Sequence, residues 1–339
     1  MLSGLGLTSM VFLLYSVQEK SSRPSGRGKT PEKNGDDKTM DILIELLEKY
    51  GPMTGKELAE ETRMDYFPLW KACSQDPRLT SRTIGSRYLR LDKHVDGYAR
   101  LSPSILREFC NYTVVGLKEQ SGAVEQKAEK LHMEIIEISR KKQRLAKYIM
   151  EHIIELQPEP GLIRENACFM IAGDVAYEMA HLEPRPEFST GTMVNGSDLD
   201  IVIVYENLPE SALKQLDSCV FENKYSLLIN PVYNEEIDYV IKDVGRVEKQ
   251  LRFDGFESMV ASKILDEGLY LCGSFRIFSL IKRMVLDFGI PGKLAALKEQ
   301  ASAEREVAIR RLLELDDTVI HDKEMRQLFY TTSEREEFF

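Results

Sequence analysis

Residues 195–205, Asn-Gly-Ser-Asp-Leu-Asp-Ile-Val-Ile-Val-Tyr, constrain the fold more than any other stretch of the chain. The run from Leu199 to Tyr205 reads as a buried strand. Asp198 and Asp200 stand two positions apart, so their side chains project to one face where the strand leaves a Gly-Ser turn. Two carboxylates at the edge of an apolar sheet are costly unless a cation sits between them. A divalent ion held by oxygens meets that need, and Mg²⁺ characteristically brings substrate phosphates with it.

A chain of 339 residues implies two domains or slightly more, and its 43% hydrophobic content supports a packed core. The net charge of −10 excludes a wholesale nucleic-acid coat and restricts such contact to local patches. Five widely spaced cysteines with no C-x-x-C pair read as unbridged core thiols of a reducing, cytoplasmic protein. The histidines lack paired ligand spacing, which argues against zinc. No phosphate-binding P-loop and no Gly-x-Ser-x-Gly elbow is present. Residues 1–18 are uncharged and contain Val11-Phe-Leu-Leu-Tyr15, but they sit at the short limit for a membrane span and lack a basic flank. With the polar run at 19–39, the expectation for 1–39 is a disordered or hydrophobic extension, and no membrane partner.

Residues 40–110 carry helical apolar spacing at Ile42, Leu43, Leu46 and Leu47, then Thr54 with Glu57 in a capping-box arrangement, then a short helix over 65–75. Two β-like runs follow, 82–91 and 95–101. Ser102-Pro103 has the chemistry of a helix start. Three helices and a basic β-ribbon resemble a winged-helix domain. Between Arg78 and Arg100 six cations face two acids, with Tyr88 and Tyr98 interleaved. Arg82, Arg87, Arg90 and Arg100 are therefore the candidate nucleic-acid contacts, and a protein-docking wing is the alternative. Residues 111–156 read as a helical connector, one helix or a hairpin, with the charge run at 140–144 facing solvent.

The second domain, 157–290, begins after Pro158 and Pro160. Cys168 to Ala172 reads as a strand, Gly173-Asp174 as a turn, and Glu236 to Ile241 as a further strand carrying Asp238 among apolar residues. Helices are expected over 256–267 and 274–288, with Gly289 and Pro291 as a stop, and a helical extension over 291–339.

A strand ending in glycine, a helix, a strand bearing Asp-x-Asp and a later strand bearing one Asp together resemble the nucleotidyltransferase superfamily of the DNA polymerase beta type. The matching pieces are Gly173, Ser197-Asp-Leu-Asp-Ile201 and Ile237-Asp-Tyr239. They cover about residues 145–290 and also look like the uncharacterised predicted nucleotidyltransferases of archaea. The resemblance implies an α+β fold with a small mixed sheet. It implies Mg²⁺ (or Mn²⁺) on Asp198, Asp200 and Asp238, the last activating an acceptor hydroxyl. Gly173, Thr192, Gly196, Ser197 and Lys263 are the candidate nucleotide contacts. The implied reaction moves a nucleoside monophosphate from an NTP to a nucleic acid, a protein or a small molecule.

The chain departs from that pattern at Asp174, where the family has a small residue whose hydroxyl and backbone amide hold terminal phosphates. The spacing from Gly173 to Asp198 is also longer than the family's. Either Thr190, Thr192, Asn195 and Ser197 supply the donors instead, or nucleotide binding is weakened or lost. The second outcome defines the alternative function, a DNA-binding regulator or partner-docking protein with a degenerate nucleotidyltransferase domain.

Overall fold

Apolar side chains on one helix face start the fold: Leu43 and Leu47 on α1 (Asn34–Tyr50) are both fully buried. The structure, a computed structural model, describes residues 34–187, 190–315, 320 and 323–331. The extension expected over 1–39 lies outside these as far as residue 33, as does the tail from 332. After β1 (Met53–Thr54), α2 (Gly55–Thr62) opens on the expected capping box. Glu57 N–H donates to Thr54 Oγ1 at 3.2 Å, and Thr54 N–H donates to Glu57 Oε2 at 2.6 Å. Helix α3 (Tyr66–Gln75) buries Phe67, Leu69 and Trp70.

The β-ribbon expected over 82–101 divides into two structures. β2 (Leu79–Thr83) leaves the ribbon, while β3 (Tyr88–Leu91) and β4 (Ala99–Ser102) form a two-stranded sheet with each other. The next helix, α4 (Ile105–Tyr112), is capped by Ser104, not by Ser102. The strand that follows, β5 (Thr113–Leu117), completes a three-stranded antiparallel sheet of order β1-β5-β2. The connector is one continuous helix, α5 (Ser121–Glu155).

The second sheet positions the carboxylates. After α6 (Pro160–Asn166) come β6 (Ala167–Ile171), the single turn α7 (Gly173–Ala176), and a small hairpin of β7 (Pro184–Pro186) and β8 (Met193–Asn195). Next are β9 (Leu199–Tyr205), α8 (Glu210–Ile229) and β10 (Ile237–Asp243). Helices α9 (Val244–Gln250) and α10 (Phe256–Glu267) lead to β11 (Leu269–Gly273). The strand order is β10-β9-β6-β11, with β9 and β10 parallel and the other pairs antiparallel. Both faces of β6 and β9 are covered, which is why these strands are almost continuously apolar. Leu199, Ile201 and Ile203 bury against α5 and α8, and Val202 and Val204 against the C-terminal helices.

Those helices are α11 (Phe275–Asp287), α12 (Ile290–Glu314) and α13 (Lys323–Phe329). Gly289 takes φ 65° and Pro291 sits in the first turn of α12, so the expected stop is a corner between two helices. Leu89, Ala99 and Leu101 of the β3–β4 hairpin share a core with Val202, Ile281 and Leu294. That shared burial separates the hairpin from β2. At the other end Phe329 sits 5.3 Å from the Trp70 ring and 5.4 Å from Phe67. The described residues from 40 to 331 thus form one compact unit, and the borders expected at 110, 156 and 290 fall inside it.

Candidate active site

Asp200 and Asp238 are register partners in the parallel pair, so both leave the sheet on the face that Val202 occupies further along. Asp198 precedes them by one step on the same side. Their surroundings differ. Asp198 keeps 34% of its side chain exposed and lies 3.7 Å from Arg185 Nη2, while Asp238 is exposed and pairs with Lys224 Nζ at 2.9 Å. Asp200 has neither an ion pair nor a side-chain hydrogen bond among the described residues. Burial, followed by the charges of Asp198, Asp174, Asp238 and Glu267, pushes its carboxyl well above the usual range. Burial also raises Asp198, against the pull of Arg185.

Gly173, at φ 66°, brings its backbone directly against this carboxylate; a Cβ there would collide with Asp200 Oδ2. Among the described residues no three His, Cys, Asp or Glu side chains converge as a ready metal centre. Asp198 and Asp238 are engaged by Arg185 and Lys224 instead. The donor chemistry still fits a hard divalent ion: three carboxylates on one sheet face, the middle one without an ion pair among the described residues.

The Gly-Ser turn is a latch. Gly196 also has positive φ, and a Cβ would strike the His181 carbonyl. Ser197 is 3% exposed; its N–H donates to His181 O at 3.1 Å and its hydroxyl donates to Asp174 Oδ2 at 2.8 Å. Its hydroxyl, expected to meet nucleotide, is engaged by Asp174 in this structure. Thr192 holds its own loop: its N–H donates to Thr190 Oγ1 at 3.1 Å and its carbonyl accepts from Glu187 N–H at 2.8 Å. Lys142, expected at solvent within the charge run, is 3% exposed. Its ammonium donates to Asn195 O at 2.7 Å and pairs with Glu235 Oε2 at 2.6 Å. One buried lysine from α5 thus fixes both segments that lead into the carboxylate strands.

At the other end of the site, the groups expected to meet phosphate already have protein partners. Gly173 N–H donates to Glu267 Oε1 at 3.1 Å, Tyr177 Oη donates to Glu267 Oε2 at 2.7 Å, and Lys263 pairs with the same carboxylate. Asp174 accepts from Ser197 and from the Tyr88 hydroxyl. Tyr88 arrives from β3 and stacks on Tyr177 with ring centroids 4.1 Å apart.

The arginines expected on nucleic acid are mostly neutralised. Arg82 lies 3.3 Å from Glu125, Arg87 is 2.6 Å from Glu108, and Arg100 is 3.3 Å from Asp92; Arg90 is exposed. Sequence reasoning missed Arg185, Lys224 and Glu267. The contact from Gly173 to Glu267 spans 94 residues, so no local pattern announces it. The acidic doublet Glu235-Glu236 before the Asp238 strand was a readable signal: Glu235 holds Lys142, and Glu236 lies 2.8 Å from Arg185. No protein-family model, no curated protein and no solved structure matches the chain.

Proposed function

We propose that the protein is a Mg²⁺-dependent nucleotidyltransferase that moves a nucleoside monophosphate from an NTP to an acceptor hydroxyl. The observation that supports this reading is Asp200, a partly buried carboxylate with four other acids around it and no ion pair among the described residues. Asp198, Asp200 and Asp238 would hold the ion, which when bound neutralises phosphate charge and polarises the reacting phosphorus. The chain's own part is to fix the carboxylates. Lys142 ties the Asn195 turn to Glu235, and Arg185 bridges Asp198 and Glu236. Asp238, which is exposed, would complete that set and help activate the acceptor hydroxyl. For an NTP to reach Gly173 N–H, Glu267 must give up that bond.

The N-terminal part supports a winged helix with an insertion. Its three helices and its sheet order β1-β5-β2 suit that topology, and the β3–β4 hairpin with α4 fills the last strand connection. Incubating the purified protein with labelled NTPs and Mg²⁺ or Mn²⁺ tests the reading. Labelled product that disappears in Asp200→Ala supports it; no nucleotide binding, and no change on that substitution, would sink it.

A second reading has its own observation. Glu267 and Asp174 fill the phosphate end with carboxylates, which suits a regulator or partner-docking protein whose nucleotidyltransferase domain has lost its substrate. Phosphate binding at that end by the chain with Glu267 intact would count against this second reading, and binding only after Glu267 is neutralised would favour it.

A further inference from the structure

Cations without acidic partners gather in a different place from the expected wing. The groove between α9 and α10 is lined by Arg246, Lys249 and Arg252, and none of the three makes an ion pair among the described residues. Behind it Lys242, 4% exposed, meets only a neutral group, the Gln250 amide oxygen at 3.1 Å. Burial and the neighbouring Arg246 hold that lysine's pKa down to about 8. A buried amine beside a guanidinium, neither in an ion pair among the described residues, makes a local field that favours an anion, offset in part by Asp243, whose Oδ1 accepts from Arg246 N–H at 2.8 Å.

Asp254 and Glu257 line the same groove, so its net charge is only modestly positive, within a chain of net charge −10. An aromatic pair flanks the cations. Phe256, at the start of α10, meets the Tyr98 ring at 5.2 Å, and Tyr98 keeps 39% of its surface exposed. Tyr98 lies in the loop of the β3–β4 hairpin, which also carries exposed Arg90. Unpaired cations beside an exposed ring are the combination that holds single strands: charge follows the backbone and the ring stacks on a base. A membrane surface would call for exposed aliphatic residues beside the cations, and the groove lining has none.

We propose that the α9–α10 groove binds the sugar-phosphate backbone of single-stranded nucleic acid, with Arg246, Lys249 and Arg252 on phosphates and Tyr98 against a base. The groove opens beyond the far end of β10 from Asp238, so this binding does not depend on nucleotidyl transfer.

Fluorescence anisotropy of the full chain with labelled oligo-dT and oligo-U tests it. The triple variant R246E/K249E/R252E should bind at least about tenfold more weakly, with a log–log salt slope flatter by about 2. K249Q/R252Q, which changes only exposed side chains, should weaken binding several-fold. Tyr98→Ala should do so with the salt slope kept, and Arg82→Glu should have no effect. The proposal is overturned if the wild-type chain binds neither oligonucleotide, or if both groove variants bind as it does. It is equally overturned if the chain binds vesicles of anionic lipid but no oligonucleotide.

Discussion

Asp200 and Gly173 touch, yet the ends of the site they belong to are finished differently. On the Asp200 side, carboxylates crowd together and one of them has no cation; on the Gly173 side, the amide and Lys263 are already satisfied by Glu267. A partly buried acid crowded by other acids and without an ion pair is unfavourable in the folded chain alone, which is the ground for the proposed cation. A satisfied donor signals something to be displaced. The contrast teaches that, under the proposed function, ligand binding would fill one end and clear the other.

The largest effect should come from the deficient end. Asp200→Ala should reduce labelled-NTP transfer by about 10³-fold or more, because the middle carboxylate has no substitute; retained activity would break the comparison at once. Next is the clamp that builds this end. Lys142→Met leaves Glu235 buried without its cation and should cost about 3–5 kcal/mol in chemical denaturation. A loss within the range of surface substitutions would show that the carboxylate strands hold themselves.

Glu267→Gln keeps the shape and removes the charge at the satisfied end. It should tighten Mg·ATP binding about tenfold, equivalent to about 1.4 kcal/mol, by calorimetry. Unchanged or weaker binding would mean that Glu267 supports the ligand instead of occupying its place. The smallest effect belongs to Lys224. Its pair with Asp238 is exposed, so Lys224→Ala should raise divalent-ion affinity only about two- to fivefold. A much larger gain would make Lys224 a gate on the metal end.

What could be read in the sequence follows the same division. The Asp198, Asp200 and Asp238 geometry was legible because strand alternation is local: a period of two fixes the face, and the apolar run fixes the strand. Register between β9 and β10 then aligned the third carboxylate. The Thr54–Glu57 cap was legible for the same reason, being a contact three residues apart. Glu267, Tyr88 and Lys142 were not, because each acts across the fold. Glu267 ends a helix and looks like any surface acid, and Tyr88 looks like part of a ribbon until the hairpin turns away from β2. Lys142 lies inside a charge run whose neighbours do face solvent; only the packing of α5 decides that it points inward. Helix α8, between the two carboxylate strands, was also missed. Its apolar spacing is interrupted by exposed Phe221 and Tyr225, which blur the stripe facing the sheet.

The central claim is that Asp198, Asp200 and Asp238 form a divalent-ion site that works with a nucleotide. The most direct measurement is electron paramagnetic resonance of Mn²⁺ titrated into the wild-type chain and Asp200→Asn, with and without ATP. Loss of the free Mn²⁺ signal in the wild-type chain, strengthened by ATP and absent in the variant, is the predicted result. Equal Mn²⁺ binding by both proteins, or none by either, would contradict it.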